Sequence, residues 1–242
     1  MRTRTALLTS AAEGFAREGF HVASLTDISR RAGVSNGALH FHFANKAALA
    51  AAVEEEASLR LTLLTRGHHG SDSRDDADRG DEDSGSRDDA GGGGPDADGP
   101  VLQHLVDSTH ALARALRGDG VLRGGFCLTL EPAYPSSRDL HAQWGAWVQD
   151  ALERARRAGE LADTVTPQDA GATVIAATIG TVVLGVQHPD WLSRQSVTRF
   201  WRLVLPRLAR TGTAQRVRAE GGAPRVAGHL SGATARRTHA RL

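Results

Sequence analysis

Between Ser24 and Lys46 the chain gathers residue types that suit hydrogen bonding to a nucleic acid rather than bond-making. Ser24, Thr26, Arg30, Ser35, Asn36, His40, His42 and Lys46 supply hydroxyls, an amide, imidazoles and cations, while Gly37 and Ala38 among them present almost no side chain. Small residues flanked by polar ones allow close approach to base edges in a major groove, and cations suit phosphates. The other reactive groups are scattered. His40 and His42 lie two apart and face different directions on a helix; His68 and His69 fall in a stretch with almost no apolar residue; Glu131 and Asp139 are isolated carboxylates. The single cysteine, Cys127, reads as a small core residue. A metal needs converging ligands and a nucleophile needs a partnered base, and neither spacing occurs. No catalytic residue, metal or cofactor is therefore expected, and the chain reads as a non-enzyme.

The elements that must hold these groups are short and well punctuated. Ser24 with Asp27 three residues on forms a capping pair, so a helix starts near Leu25, with Leu25, Ile28 and Ala32 as its apolar stripe. Gly33 stands where that helix must stop in a left-handed turn, and Ser35 caps a second helix from Asn36 to about His42. Leu39 and Phe43 turn one side of it inward, which leaves Asn36, Gly37 and Ala38 for bases. Asn45 caps a third helix with Lys46 in its first turn, an arrangement that suits a phosphate clamp. Lys46 is the single lysine in a chain whose other cations are arginines, which marks it for a specific role. Upstream, Arg4 to Glu18 carries Leu7, Leu8, Ala11, Ala12 and Phe15 at helical spacing and stops at Gly19.

This constellation, a first helix followed by LTDISRRAGVSNGALHFHFANKAAL, resembles the N-terminal DNA-binding domain of the TetR family of bacterial repressors over about residues 4–60. Within that family, GVSNGALHFHFANKAALAAAVE is similar to the γ-butyrolactone receptors and pseudo-receptors of actinomycetes. The resemblance implies an all-α fold: an N-terminal three-helix domain with a helix-turn-helix, then a helical ligand-binding and dimerisation domain. It further implies a homodimeric transcriptional repressor of palindromic operator DNA, released by a small hydrophobic ligand, either a γ-butyrolactone signal or an antibiotic. The regulated genes would be those of antibiotic or other secondary-metabolite production. His40 departs from the pattern, since the family has tyrosine there, touching a phosphate; an imidazole keeps the contact but makes it pH-dependent.

A chain of 242 residues, 40% hydrophobic, supplies core for two helical domains. No run of 18 or more apolar residues suggests a membrane span, and the N-terminal apolar stretch is too short for a signal peptide, so a cytoplasmic location is expected. The net charge of +1 conceals strong blocks: residues 67–100 hold 11 Asp/Glu against 3 Arg, and residues 207–242 hold 8 Arg against 1 Glu. The division expected is a DNA-binding domain over 1–60, its fourth helix continuing to about 66, then a disordered acidic insertion over 67–100. A ligand-binding and dimerisation domain follows over 101–210, and a flexible basic tail over 211–242.

In the second domain, Val101 to Leu116, Val121 to Leu130 and Arg138 to Ala158 read as helices, with Pro132 and Pro135 breaking the chain between the last two. Phe126, Leu128, Thr129, Trp144 and Trp147 combine apolar surface with a few polar groups, the make-up of a small-molecule pocket. The resemblance singles out Trp144, which precedes Gly159-Glu160-Leu161 much as a tryptophan does in the butyrolactone receptors. Thr166 and Pro167 open a helix, DAGATVIAATIGTVVLGV, that is apolar nearly all round and must be covered on both flanks. With a last helix from Ser193 to Leu208 it resembles the family's dimer interface, a four-helix bundle. The alternative is a constitutive or architectural DNA-binding protein with no ligand, its cavity filled by Trp144 and Trp147.

Overall fold

Most of the longer helices begin at a residue able to accept the free N–H groups of the first turn, which is why the boundaries fall where they do. The structure, a computed structural model, describes residues 2–66, 99–132 and 134–222. Helix α1 is Arg2–Val22, broken at Gly19, whose φ of 78° only glycine takes without strain. Ser24 accepts from Asp27 N before α2 (Leu25–Arg31), and Ser35 from Ala38 N before α3 (Asn36–His42). Asn45 Oδ1 accepts from Ala48 N at 2.8 Å at the start of α4 (Lys46–Arg66). Asp119, Asp139, Thr166 and Ser193 do the same for α6 (Gly120–Thr129), α7 (Leu140–Arg157), α8 (Pro167–Gln187) and α9 (Arg194–Leu208).

Helix α5 (Val101–Gly118) follows Pro100, which has no capping side chain. Glu160 replaces it from a distance, its carboxylate accepting from Val101 N at 2.8 Å and Leu102 N at 2.9 Å. A short 3-10 helix, Pro189–Leu192, joins α8 to α9. Among the described residues there is no strand, only an isolated bridge between Leu161 and Ala209.

One hydrophobic core runs through the described residues, from Leu7 to Ala219. Helix α6 lies between α1 and α4 and gets there through paired glycines. A Cβ on Gly124 would stand 2.6 Å from Ala12 O, and one on Gly125 would stand 2.4 Å from Ala57 Cβ. Any motion of α6 therefore presses on the middles of α1 and α4.

Two expectations change here. Residues 211–222, read from sequence as the start of a flexible tail, are packed: α10 (Thr211–Ala214) turns the chain back, and Val217 and Ala219 are buried. The physical reason is that this stretch draws its partners from α5 and α9 rather than from an apolar face of its own. The remainder of that tail, and residues 67–98 of the acidic insertion, lie outside the described residues. Helix α8, apolar nearly all round as read, also has an 18-residue window of mean hydropathy 1.7, long and apolar enough to cross a membrane by composition although no such stretch was expected.

Candidate nucleic-acid interface and ligand cavity

Helices α2 and α3 meet at a polar joint that orients the head. Ser29, buried on α2, shares its single hydroxyl proton between Asn36 Oδ1 and Thr26 O, which ties the Asn36 amide at the start of α3 to α2. Gly37, His40 and His42 are exposed beside it, as are Thr26, Arg30 and Ser35, while Ala38 and Ser24 are half-buried. Leu39 and Phe43 point into the core as expected, at 0% and 5% exposure. Ser24 and Ser35 use their hydroxyl oxygens as caps. Arg30 is paired with Asp27, whose carboxyl the Arg30 guanidinium and the Ser24 hydroxyl hold below the usual carboxylate range.

The sequence reading passed over Phe41, which stands on α3 at 86% exposure between His40 and His42. The signal available in the sequence was spacing: with Leu39 and Phe43 turned inward, Phe41, two residues from each, falls on the opposite side of the helix. Lys46 is placed differently from expectation. Its ammonium donates to His21 O and Ala23 O, each at 3.0 Å, and lies 4.8 Å from the Phe20 ring centroid. It therefore caps the end of α1, and two of its three protons are already engaged.

A cavity of about 310 Å³ lies between α5, α8, the 3-10 helix and α9, with Leu112, Leu116, Thr178, Val182, Leu192 and Phe200 in its walls. No charged side chain is among its lining residues. None of Phe126, Thr129, Trp144 and Trp147 lines it either. Phe126 is buried edge-on against His141, and Thr129 returns its hydroxyl to Gly125 O at 3.1 Å. Trp144 is 1% exposed, stacked on Trp147 with centroids 5.0 Å apart, and backs the cavity from behind by donating its indole N–H to Thr178 Oγ1 at 2.9 Å. Trp201 does likewise to Thr109 Oγ1 at 2.6 Å. Large aromatics fill space, and here they position the hydroxyls that line the cavity.

Those hydroxyls are themselves committed. Thr109, Thr178, Thr181 and Ser196 donate to Val106 O, Val174 O, Ala177 O and Asp190 O at 2.7–2.9 Å. Their protons are spent within the protein, and Thr109 and Thr178 also accept from the two indoles, so these hydroxyls have acceptor capacity alone to offer in an apolar wall.

Between head and cavity stands a buried carboxylate that the sequence reading missed. Glu54 on α4 is 0% exposed and accepts from Tyr134 Oη, Ser136 Oγ, Ser137 N and Ser137 Oγ at 2.6–3.0 Å. Burial and the Glu54 charge push the Tyr134 hydroxyl up to about 12. From the same loop, Glu131 accepts from Phe20 N at 3.1 Å at the end of α1. Arg60 on α4 reaches Asp119 at the start of α6; burial opposes the Asp119 charge, yet the guanidinium and two backbone N–H groups hold its carboxyl below the usual range. Cys127 is inert: burial pushes its thiol up to about 11.

Residues 7–53 match the family described as bacterial regulatory proteins, tetR family. The chain is 25% identical over 225 residues to the A-factor receptor protein of Streptomyces griseus, a match covering 91% of this chain and 69% of that one. It is similar at 26% identity, TM-score 0.64, to a solved structure described as the molecular basis for control of antibiotic production by bacterial hormones, covering 87% of this chain and 99% of that one. It also superposes, at 22% identity and TM-score 0.66, on the TetR family protein CprB of Streptomyces coelicolor in complex with its biological operator sequence; that match covers 88% of this chain and 92% of that one.

Proposed function

We propose that this chain, whose residues 7–53 match the TetR family of bacterial regulatory proteins, is a dimeric repressor of palindromic operator DNA, released by a small uncharged ligand. The observation that carries the reading is the pairing of an exposed α3 head with an uncharged 310 Å³ cavity in the same rigid core. Asn36, Gly37, Ala38 and Phe41 address base edges, the phenyl ring suiting a thymine methyl. Thr26, Arg30, His40, His42 and the free proton of Lys46 address phosphates, and the Ser24 and Ser35 caps aim the helices that carry them.

The cavity favours a ligand that is mostly apolar and brings its own hydrogen-bond donor, because the hydroxyls lining it offer lone pairs. A γ-butyrolactone signal or an antibiotic with a free hydroxyl has that chemistry. Control of antibiotic or other secondary-metabolite genes follows from the resemblance to the hormone receptors. Release of DNA requires the ligand to prefer a head separation unable to bind the operator, by about 5.5 kcal/mol for a near-complete switch. The route runs through α6, wedged by Gly124 and Gly125 against α1 and α4, and through the loop that holds Glu54.

The second subunit covers α8 and α9. Only 28% of the apolar α8 window is buried within one chain, and Val183 and Leu184 on α8 and Leu203 on α9 stand exposed. The test is a footprint on the DNA upstream of the protein's own gene, repeated with culture extract added. Protection of a two-fold repeat that the extract relieves is expected; protection without a repeat removes the dimeric reading, and protection that no extract relieves removes the ligand.

A further inference from the structure

Beyond α10 the chain crosses two helices and is tied to both. On α5, Gln103 accepts from Arg218 N at 2.7 Å, Asp107 accepts from Gly222 N at 2.7 Å, and His110 Nε2 lies 2.9 Å from Ala219 O. Those three α5 positions are spaced by four and three, so they form one face of the helix. On α9, Arg194 donates twice to Glu220 O at 3.1 and 2.9 Å, and Arg202 donates to the Glu220 carboxylate at 3.0 and 2.6 Å. Gly221, at φ +70°, lets the crossing lie flat: a Cβ there would come within 2.9 Å of the His110 ring.

We propose that residues 216–222 are a clasp that ties α5 to α9 beside the apolar cavity and sets how readily that cavity opens. Helices α5 and α9 are two of its walls. Leu192 separates it from the cleft where Glu220 and Gly222 lie, since that residue lines both. Leu192 is held in turn against α8, where a Cβ on Gly185 would stand 2.5 Å from it. With the clasp closed, α5, α9 and the 3-10 helix are held together; with it released, α5 and α9 lose on that side the contacts of the five side chains named above, Gln103, Asp107, His110, Arg194 and Arg202. The inference rests on the cavity being the ligand site, and its test separates the two.

Three variants of the full protein serve: truncation after Gln215, truncation after Gly222 as the control, and Gly221→Ala. Nile red, uncharged and apolar, is the probe, and the cavity-bound part of its signal is the part lost in Ala177→Trp. Truncation after Gln215 and Gly221→Ala are expected to raise the dissociation rate of cavity-bound dye about fivefold or more, the effect of an opened site falling mainly on the off-rate. They should also speed hydrogen exchange in α5 and α9 while leaving α1 to α4 unchanged. The truncation after Gly222 should match the full chain in both. Unchanged exchange in folded Gly221→Ala, or an unchanged rate in a protein that binds the dye, overturns the clasp. Faster exchange with no cavity-bound dye in any form supports the tie and overturns the ligand cavity instead.

Discussion

Lys46 holds two α1 carbonyls and an aromatic face, so its removal acts on the fold as well as on DNA. Lys46→Ala should cost about 1–2 kcal/mol of stability in urea denaturation, and should lower the salt slope of DNA binding by roughly one per subunit if the third proton reaches a phosphate. A lost slope without lost stability would contradict the capping role, and the reverse would remove the phosphate role. His141 gives a prediction on pH. It is buried at 8% exposure with no hydrogen-bond partner at Nε2 among the described residues, and burial depresses its protonation. The unfolded imidazole, near its ordinary value of about 6.5, then binds a proton the folded one refuses, so this contribution to stability is full above about pH 6.5 and is lost as pH falls below it. His110, also pushed down by burial, works in the same direction. His141→Leu should flatten the fall in stability between pH 7 and 5; a fall as steep as in the parent would clear His141. Capping residues such as Ser24, Ser35 and Thr166 act on the backbone three residues on, which is why the starts of α2, α3 and α8 were legible in the sequence. Glu54 was not, because its four donors come from residues 134–137, far along the chain, and nothing local marks a glutamate in the run Glu54 to Glu56 as the buried one.

At the scale of elements, α6 carries the argument, since it is short, apolar and packed on both α1 and α4 through a pair of glycines. Gly124→Ala must push Ala12 O away from 2.6 Å, and its neighbour there is backbone, which yields only by moving a helix. The variant should lose about 1–3 kcal/mol of stability and shift operator affinity even though Gly124 touches no DNA. Thermal melting and a mobility-shift titration check it; parent-like values in both would show that α1 and α6 slide without resistance. The same packing explains why this cavity was not legible in the sequence. Helical periodicity identifies which residues of α6 and α7 are inward, and Phe126, Trp144 and Val148 are indeed buried, but it does not separate a residue that fills the core from one that lines a void. The void opens instead where small residues of α8, such as Ala177 and Gly180, face Leu112 and Leu116 of α5. Those α8 positions read in the sequence only as signs of close helix approach.

For the whole molecule the deciding quantity is how much of α8 and α9 a second chain would cover in the proposed dimer. Leu203 is 79% exposed in the middle of α9, and Val183 and Leu184 are 45% and 41% exposed on α8, although each lies in an apolar run. A carboxylate there puts a charge into the proposed apolar contact, with Arg199 and Arg207 one turn away on the same helix as its local cations, so Leu203→Glu should shift the dimer towards monomer by light scattering. Each monomer keeps an intact head, yet two heads on an operator with half-sites about 34–36 Å apart bind as one unit only while the subunits are joined. Operator affinity should therefore fall steeply, with the salt slope reduced to that of a single head. The cavity belongs to one chain and should still take up an apolar probe. A Leu203→Glu protein that remains dimeric would move the interface off α9, and a monomer that holds the full operator as tightly as the parent would remove the need for two heads.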